Sequence, residues 1–354
     1  MKRFLALAAV AALVGCGGTG EGEGPVHRVR VPPGASFSAV ADSLARYDIL
    51  ASPTIFRIYG RITGAAEEIQ AGTYEFHEGA GWRTVLDDLT AGHIAADRLV
   101  VPEGYQIRWI APALARISGR NPDSLAAYML DTATAARFRV PGPTLEGYLY
   151  PATYLIPAGA PVDAVIRRMV EEYREVWTPE RRALADSVGL SEREVVTLAS
   201  IVEREAKVAR EMPIIAAVYL NRLDIGYLLQ ADPTVQYALG THHRRLFYSQ
   251  IDSVAEDPYN TYKHPGLPPG PIGSPSVRAI DAVLHPADVD YLYFVARPDG
   301  THIFNRHLVE HNRAKARIQR ERRAARRAGR PDSTAGGPAP ARPPGSDSVS
   351  RSDR

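Results

Sequence analysis

Cysteine is almost missing from this chain. Cys16 is the only one in 354 residues, so no intrachain disulfide can form and no zinc-type cysteine spacing exists. A surplus of one charge is missing too: 42 Lys and Arg face 40 Asp and Glu, a net +2 that gives no global argument for nucleic acid. There is no Gly-rich phosphate loop and no HExxH. The ten histidines are scattered without ligand spacing, so neither a metal nor another cofactor is expected. The apolar run FLALAAVAALVG is about a dozen residues, short of the roughly twenty that span a bilayer.

What that run does fit is a secretory signal peptide, with Met1-Lys2-Arg3 as its basic start. The tetrapeptide Leu13-Val14-Gly15-Cys16 resembles a bacterial lipobox, which implies that Cys16 is lipidated and becomes the mature N-terminus. Acyl chains would tether the protein to a membrane without crossing it. GGTGEGEGP then reads as a flexible leash. The far end, from Gln319, is rich in Arg, Pro, Gly and Ser and poor in apolar residues, so it reads as a solvated, disordered tail that prolongs the last helix.

About three hundred residues remain, enough for two domains. In the first, HRVRVP alternates like a strand, Ser36 can cap a helix through Ala41 and Leu44, Ser52-Pro53 starts a second helix, and GTYEF returns as a strand. There is an internal echo. VRVPPGASFSAVADSLAR from Val29 lines up with LVVPEGYQIRWIAPALAR from Leu99, and HEGAGWRTVLDDL from His77 looks like a weaker third copy. Farther on come a Pro213-led helix, loops dense in Gly, Pro, Asn and Tyr, a hairpin closed by Asp299-Gly300, and a helix through HLVEHNRAKARIQ. Polar, Pro-rich loops of this kind usually build a site.

A single carboxylate interrupts the apolar stripe of VVTLASIVEREAKVAREM. Leu198, Ile201, Val202, Glu205, Val208, Ala209 and Met212 share one face of an unbroken helix, and only Glu205 is polar. A carboxyl against apolar walls resists ionisation, and a Glu that keeps its proton near neutral pH suits a general acid. Such a Glu can equally pair with a buried Arg or sit at the stripe's edge. Glu203 lies on another line, at the favoured i to i+4 spacing from Lys207, and reads as structural.

LASIVEREA, NRL, LLQADPTVQYALG, YNTY, GLPPGPI, YLYFVA and EHN, in that order, resemble the motif set of the endolytic murein transglycosylases, the YceG-like family. LEGYLYPATY and IQAGTYEF resemble its upstream elements, and the resemblance spans about Val29 to Lys315. It implies an α+β chain: a small LysM-like βααβ module at 26–95 and a larger mixed α+β catalytic domain at 96–318. Residues 1–16 would be the lipoprotein signal peptide, 17–25 the linker and 319–354 the tail.

The implied activity is endolytic cleavage of peptidoglycan glycan strands between N-acetylmuramic acid and N-acetylglucosamine, leaving 1,6-anhydro ends. One Glu serves as acid and then base. The motif places it in VEREA, and Glu205 is the choice, with Glu203 as fallback. A lytic transglycosylase lets the sugar's own 6-hydroxyl attack, where a glycosidase needs a second carboxylate. Asp232 is the candidate for any second acid, although Asp before Pro commonly shapes a turn. Asn221, Gln230, Tyr259, Asn260 and Tyr262 read as substrate positioners, and Glu146 as a cleft acid or an arginine's partner.

The chain departs from the family pattern at Ala152, which replaces the Asp of PDTY, and at GSPS, where relatives tend to have an Asn-Pro-Gly turn. A lipid anchor also stands in for the family's usual membrane helix, with inner or outer membrane left open. The expected partners are glycan strands, the membrane through Cys16 and the penicillin-binding synthases, with no nucleic acid. The rival readings are a muramidase using Glu205 with Asp232, and a non-catalytic wall-binding lipoprotein.

Overall fold

A computed structural model describes residues 19–241, 243 and 246–327. The signal peptide, Cys16 and the tail beyond 327 lie outside the described residues. In chain order the elements are β1 (Val26–Val31), α1 (Phe37–Arg46), α2 (Pro53–Thr63), β2 (Gly72–His77), α3 (Trp82–Ala91), β3 (Ala96–Val100), α4 (Ile107–Ser118), α5 (Pro122–Met129), α6 (Thr132–Arg137) and β4 (Thr153–Pro157). There follow α7 (Val162–Val176), α8 (Pro179–Val188), α9 (Glu192–Glu205), α10 (Met212–Asp224), α11 (Asp232–Ala238), α12 (Tyr248–Ser253), α13 (Val277–Leu284), β5 (Tyr293–Ala296), β6 (His302–Asn305) and α14 (Leu308–Arg327). The fold is α+β, with three antiparallel strand pairs: β1–β2, β3–β4 and β5–β6. No described helix is long and apolar enough to cross a membrane.

The chain forms two compact units. One holds the described residues up to Val100 with Ala113–Asn121 and Thr153–Val165; the other holds Val101–Pro112, Pro122–Ala152 and the described residues from Ile166. A single boundary between 95 and 96 is therefore not how the chain divides. Strand β4 pairs with β3, which keeps both in the first unit.

Within the first unit the alternation of HRVRVP puts Val29 and Val31 inside and Arg28 and Arg30 out. The Ser36 and Ser52 hydroxyls accept N–H bonds three residues on, at 3.2 and 3.4 Å, and cap α1 and α2. The repeat seen in sequence is real and runs to four copies. After each of β1, β2, β3 and β4 comes a glycine with positive φ (Gly34, Gly79, Gly104 and Gly159), and a helix starts three residues later. The fourth copy, at β4 and α7, carries no sequence likeness that marks it. Its strand register does: Val29 faces Tyr74 in one pair as Leu99 faces Tyr154 in the other, and all four are buried.

The second unit is built around α9. Ser191 and Glu194 form a reciprocal capping box at its start. Every residue from Val195 to Val202 is buried, so the helix is enclosed on all sides and packs on α10 and α13. Its two buried hydroxyls turn back onto the helix: Thr197 donates to Arg193 O and Ser200 to Thr197 O, each at 2.7 Å.

Two expectations fail here. The helix does not run on to Met212; it ends at Glu205, with Ala206 already extended, and a 3-10 turn at Ala209–Glu211 redirects the chain into α10. Packing of α10 back against α9 overrides local helix propensity. At the other end, α14 continues as helix to Arg327, so residues 319–327 are not an unstructured tail.

Candidate active site

Glu205 is the last helical residue of α9 and is partly buried, at the end of the helix that fills the core. Tyr219, fully buried on α10, donates its hydroxyl to Glu205 Oε1 at 3.1 Å. Burial pushes the Glu205 carboxyl up to about 8. The negative charge of Asp232 adds to the rise, while the Tyr219 bond and the charges of Arg222 and Arg204 pull the other way. The C-terminal end of α9 acts in the same direction as burial, because the helix dipole is negative there. No ion pair forms on Glu205 among the described residues.

Three segments hold this carboxyl's surroundings in place. Arg222, one turn beyond Tyr219 on α10, donates Nε to Leu292 O at 2.7 Å and Nη1 to Leu229 O, which ties the loop before α11 to the strand β5 region. Thr261 Oγ1 accepts the Ala231 N–H at 3.0 Å and shares a hydrogen with Thr234 at 2.8 Å, locking QADPT to YNTY. Tyr262 then reaches Asp232 Oδ1 at 2.6 Å. Burial first, and Asp232 second, raise the Tyr262 phenol well above its usual range, so it stays a donor.

The other expected site residues divide by burial. Gln230 is exposed, in the left-handed region at φ 50°, with its N–H on Thr261 O. Tyr259 is partly buried and packs on Tyr237 at 4.7 Å between ring centroids. Asn260 does not face a cleft. It is fully buried; its amide nitrogen donates to Ile251 O and Val254 O, and its oxygen accepts the Tyr262 N–H. Asn221 likewise gives its amide N–H groups to Val289 O and Tyr291 O. Both hold backbone, each amide donating to two carbonyls of neighbouring segments.

Glu203 accepts Ser276 N–H at 3.0 Å and the Ser276 hydroxyl, and Ser276 is the N-cap of α13. The expected ion pair with Lys207 is not formed, because the helix stops before that residue. Glu146 is buried to 2 % exposure and accepts the Ile107 N–H at 3.1 and 3.2 Å, at the start of α4, with the Tyr237 hydroxyl at 3.4 Å. Burial raises it to about 8, against the pull of these bonds and of Arg108 and Arg204. It is a helix cap, not an acid open to a cleft. Among the described residues no cluster of three or more His, Cys, Asp or Glu could hold a metal ion. Tyr219 and Arg222 were not foreseen; their only signal in IIAAVYLNRL is a Tyr and an Arg three apart on a mostly apolar helix.

The profile of the YceG-like family matches residues 29–317. A Bacillus subtilis (strain 168) protein named endolytic murein transglycosylase is 34% identical over 308 residues, covering 81% of this chain and 83% of that relative. A protein of the same name from Streptococcus pneumoniae serotype 2 is 28% identical over 302 residues, covering 76% of this chain and 54% of its own length. A crystal structure of a YceG-like protein from Listeria monocytogenes matches with a TM-score of 0.56 and 30% identity, covering 82% of this chain and 100% of that one.

Proposed function

The chain belongs to the YceG-like family, and on that premise we propose that it is a lytic transglycosylase that cuts peptidoglycan glycan strands internally, between N-acetylmuramic acid and N-acetylglucosamine. The observation that carries the reading is the carboxyl of the partly buried Glu205, pushed up to about 8 by burial. At neutral pH it holds a proton, which it gives to the glycosidic oxygen as that bond breaks. The carboxylate left behind then takes the proton of the sugar's 6-hydroxyl as that oxygen closes on the anomeric carbon. No water is consumed and Glu205 is restored. The Tyr219 hydroxyl steadies the ionised form between the two steps.

The same premise favours Asp232 as a neighbour that tunes Glu205 and holds Tyr262, with Gln230, Tyr259 and Tyr262 lining the sugar path. A muramidase is the second reading, because the charge of Asp232 is felt at Glu205. Product masses separate the two. Digests of purified sacculi should give anhydro ends, lighter by one water than reducing ends, and Glu205→Gln should cut at least about a thousandfold more slowly with its fold intact. Reducing ends would establish the muramidase instead. Full activity in Glu205→Gln would remove Glu205 as the acid.

The βααβ order of the first unit supports a LysM-like glycan-binding module. The N-terminal residues support an envelope lipoprotein anchored through Cys16, working on nascent strands beside the penicillin-binding synthases. Labelling cells with a fatty-acid analogue checks the anchor: label should enter the wild type and be absent from Cys16→Ala, and label in both would end the idea.

A further inference from the structure

Two guanidinium groups near the Glu205 end of α9 lie against the same tryptophan and form no ion pair among the described residues. Arg108 lies in the first turn of α4 and Arg204 in the last turn of α9. Their Cζ atoms sit 4.9 and 5.4 Å from the centroid of the same Trp109 ring. Arg204 has one acceptor, Gly104 O at 3.2 Å. Arg108 Nε and Nη2 and Arg204 Nε are buried donors with no acceptor among the described residues. The carboxyl that feels both charges, Glu146, is turned to the Ile107 N–H and the Tyr237 hydroxyl and forms no ion pair with either arginine. Burial lowers the proton affinity of both guanidiniums, and the charge of Arg108 lowers that of Arg204 further.

Such a pair is costly as it stands. Each orphaned donor forfeits a hydrogen bond, and two half-desolvated like charges repel. An anion that reaches both removes both penalties at once. A guanidinium presents paired N–H groups in the spacing of a carboxylate's two oxygens. The surroundings suit a sugar-borne ligand: Tyr105 packs 5.6 Å from the Trp109 ring, and the Tyr237–Tyr259 pair borders the same Glu146 cluster.

We propose that Arg108 and Arg204 form a carboxylate subsite beside Glu205 that takes a free carboxylate of the peptide carried by a muramyl sugar. This rests on the murein reading above. In an alternating strand only the muramyl sugar carries a peptide. An anion held here therefore fixes which of the two alternating linkages meets Glu205, so the subsite sets the register of the cut as well as adding affinity.

The test uses the full chain and an N-acetylmuramyl peptide, a single sugar with no glycosidic bond to cleave. Calorimetry should show binding that weakens at least about tenfold when the peptide carboxylates are converted to amides, and similarly in Arg108→Gln, with Arg108→Lys between, because it keeps the charge and loses the fork. Equal binding of acid and amide, equal binding by Arg108→Gln, or no binding at all would overturn the subsite. If Arg108→Gln fails to fold, the acid–amide comparison on the wild type still decides. Cleavage is read separately. Removing the peptides from strands should raise KM at least about tenfold with little change in kcat. A chain that prefers acid to amide but never cuts strands keeps the subsite and loses the transglycosylase; one that cuts stripped and decorated strands alike loses only the subsite.

Discussion

At the scale of single residues, Glu205 and Asp232 set a testable pH response. With Glu205 as the proposed acid, only its protonated form works, so activity should fall as pH rises through about 8. The charge of Asp232 raises Glu205, so Asp232→Asn removes that contribution and moves the alkaline limb of the kcat/KM profile to lower pH. A limb that stays where it is would disconnect the two. This tuning was partly legible beforehand. An acid among apolar neighbours announces itself by contrast, and Glu205 could be picked from the line of Leu198, Ile201 and Val202. Asn260 and Asn221 could not be read, because an amide donating to loop carbonyls and one donating to a sugar have the same sequence signature. Arg108 and Arg204 were missed for a related reason: a charge left without a partner can be seen only once every possible partner has been placed.

At the scale of elements, the junction of α9 and α13 depends on one hydroxyl. Ser276 caps α13 through the Ala279 N–H at 3.2 Å and donates to Glu203. Ser276→Ala loses the cap and leaves Glu203 with the Ser276 backbone N–H alone, so stability should drop by about 1–2 kcal/mol. Turnover per folded molecule should hold under the proposed assignment of the acid to Glu205, since Glu203 is engaged with the cap of α13. Chemical denaturation beside an activity assay checks this, and intact stability would show the contact to be idle. Several elements were readable from caps: the Ser36 and Ser52 starts and the Pro213-led α10 all follow local chemistry. The end of α9 does not. VEREAKVAREM carries no Gly or Pro before Pro213, and what breaks it is α10 folding back, a long-range event that no local window contains.

At the scale of the whole molecule, two buried carboxyls give stability a direction in pH. Glu205 and Glu146 are each raised from 4.5 to about 8 in the folded chain. Between those values the folded state keeps protons that the unfolded state has lost, so stability is greatest below about 4.5 with respect to these groups and declines as pH climbs to 8. Thermal unfolding should occur at a lower temperature at pH 8 than at pH 5, and Glu146→Gln should flatten the slope. A melting temperature that rises over that range would contradict it. Domain organisation was the least readable level. The strand–glycine–helix repeat was visible at Val29 and Leu99, but the pairing of β3 with β4 joins segments more than fifty residues apart and both belong to the first unit, so a cut at 95/96 separates this strand pair from the unit that holds it.

Because Glu205 rides on the last turn of a helix enclosed on every side, its aim is a property of the core. Each residue advances a helix by about 100°, so even a slight roll of α9, from one side chain too small or too large among Val195–Val202, swings the carboxyl out of the line its proposed role needs. Interior substitutions along this helix would then be filtered by pointing accuracy well before they are filtered by unfolding.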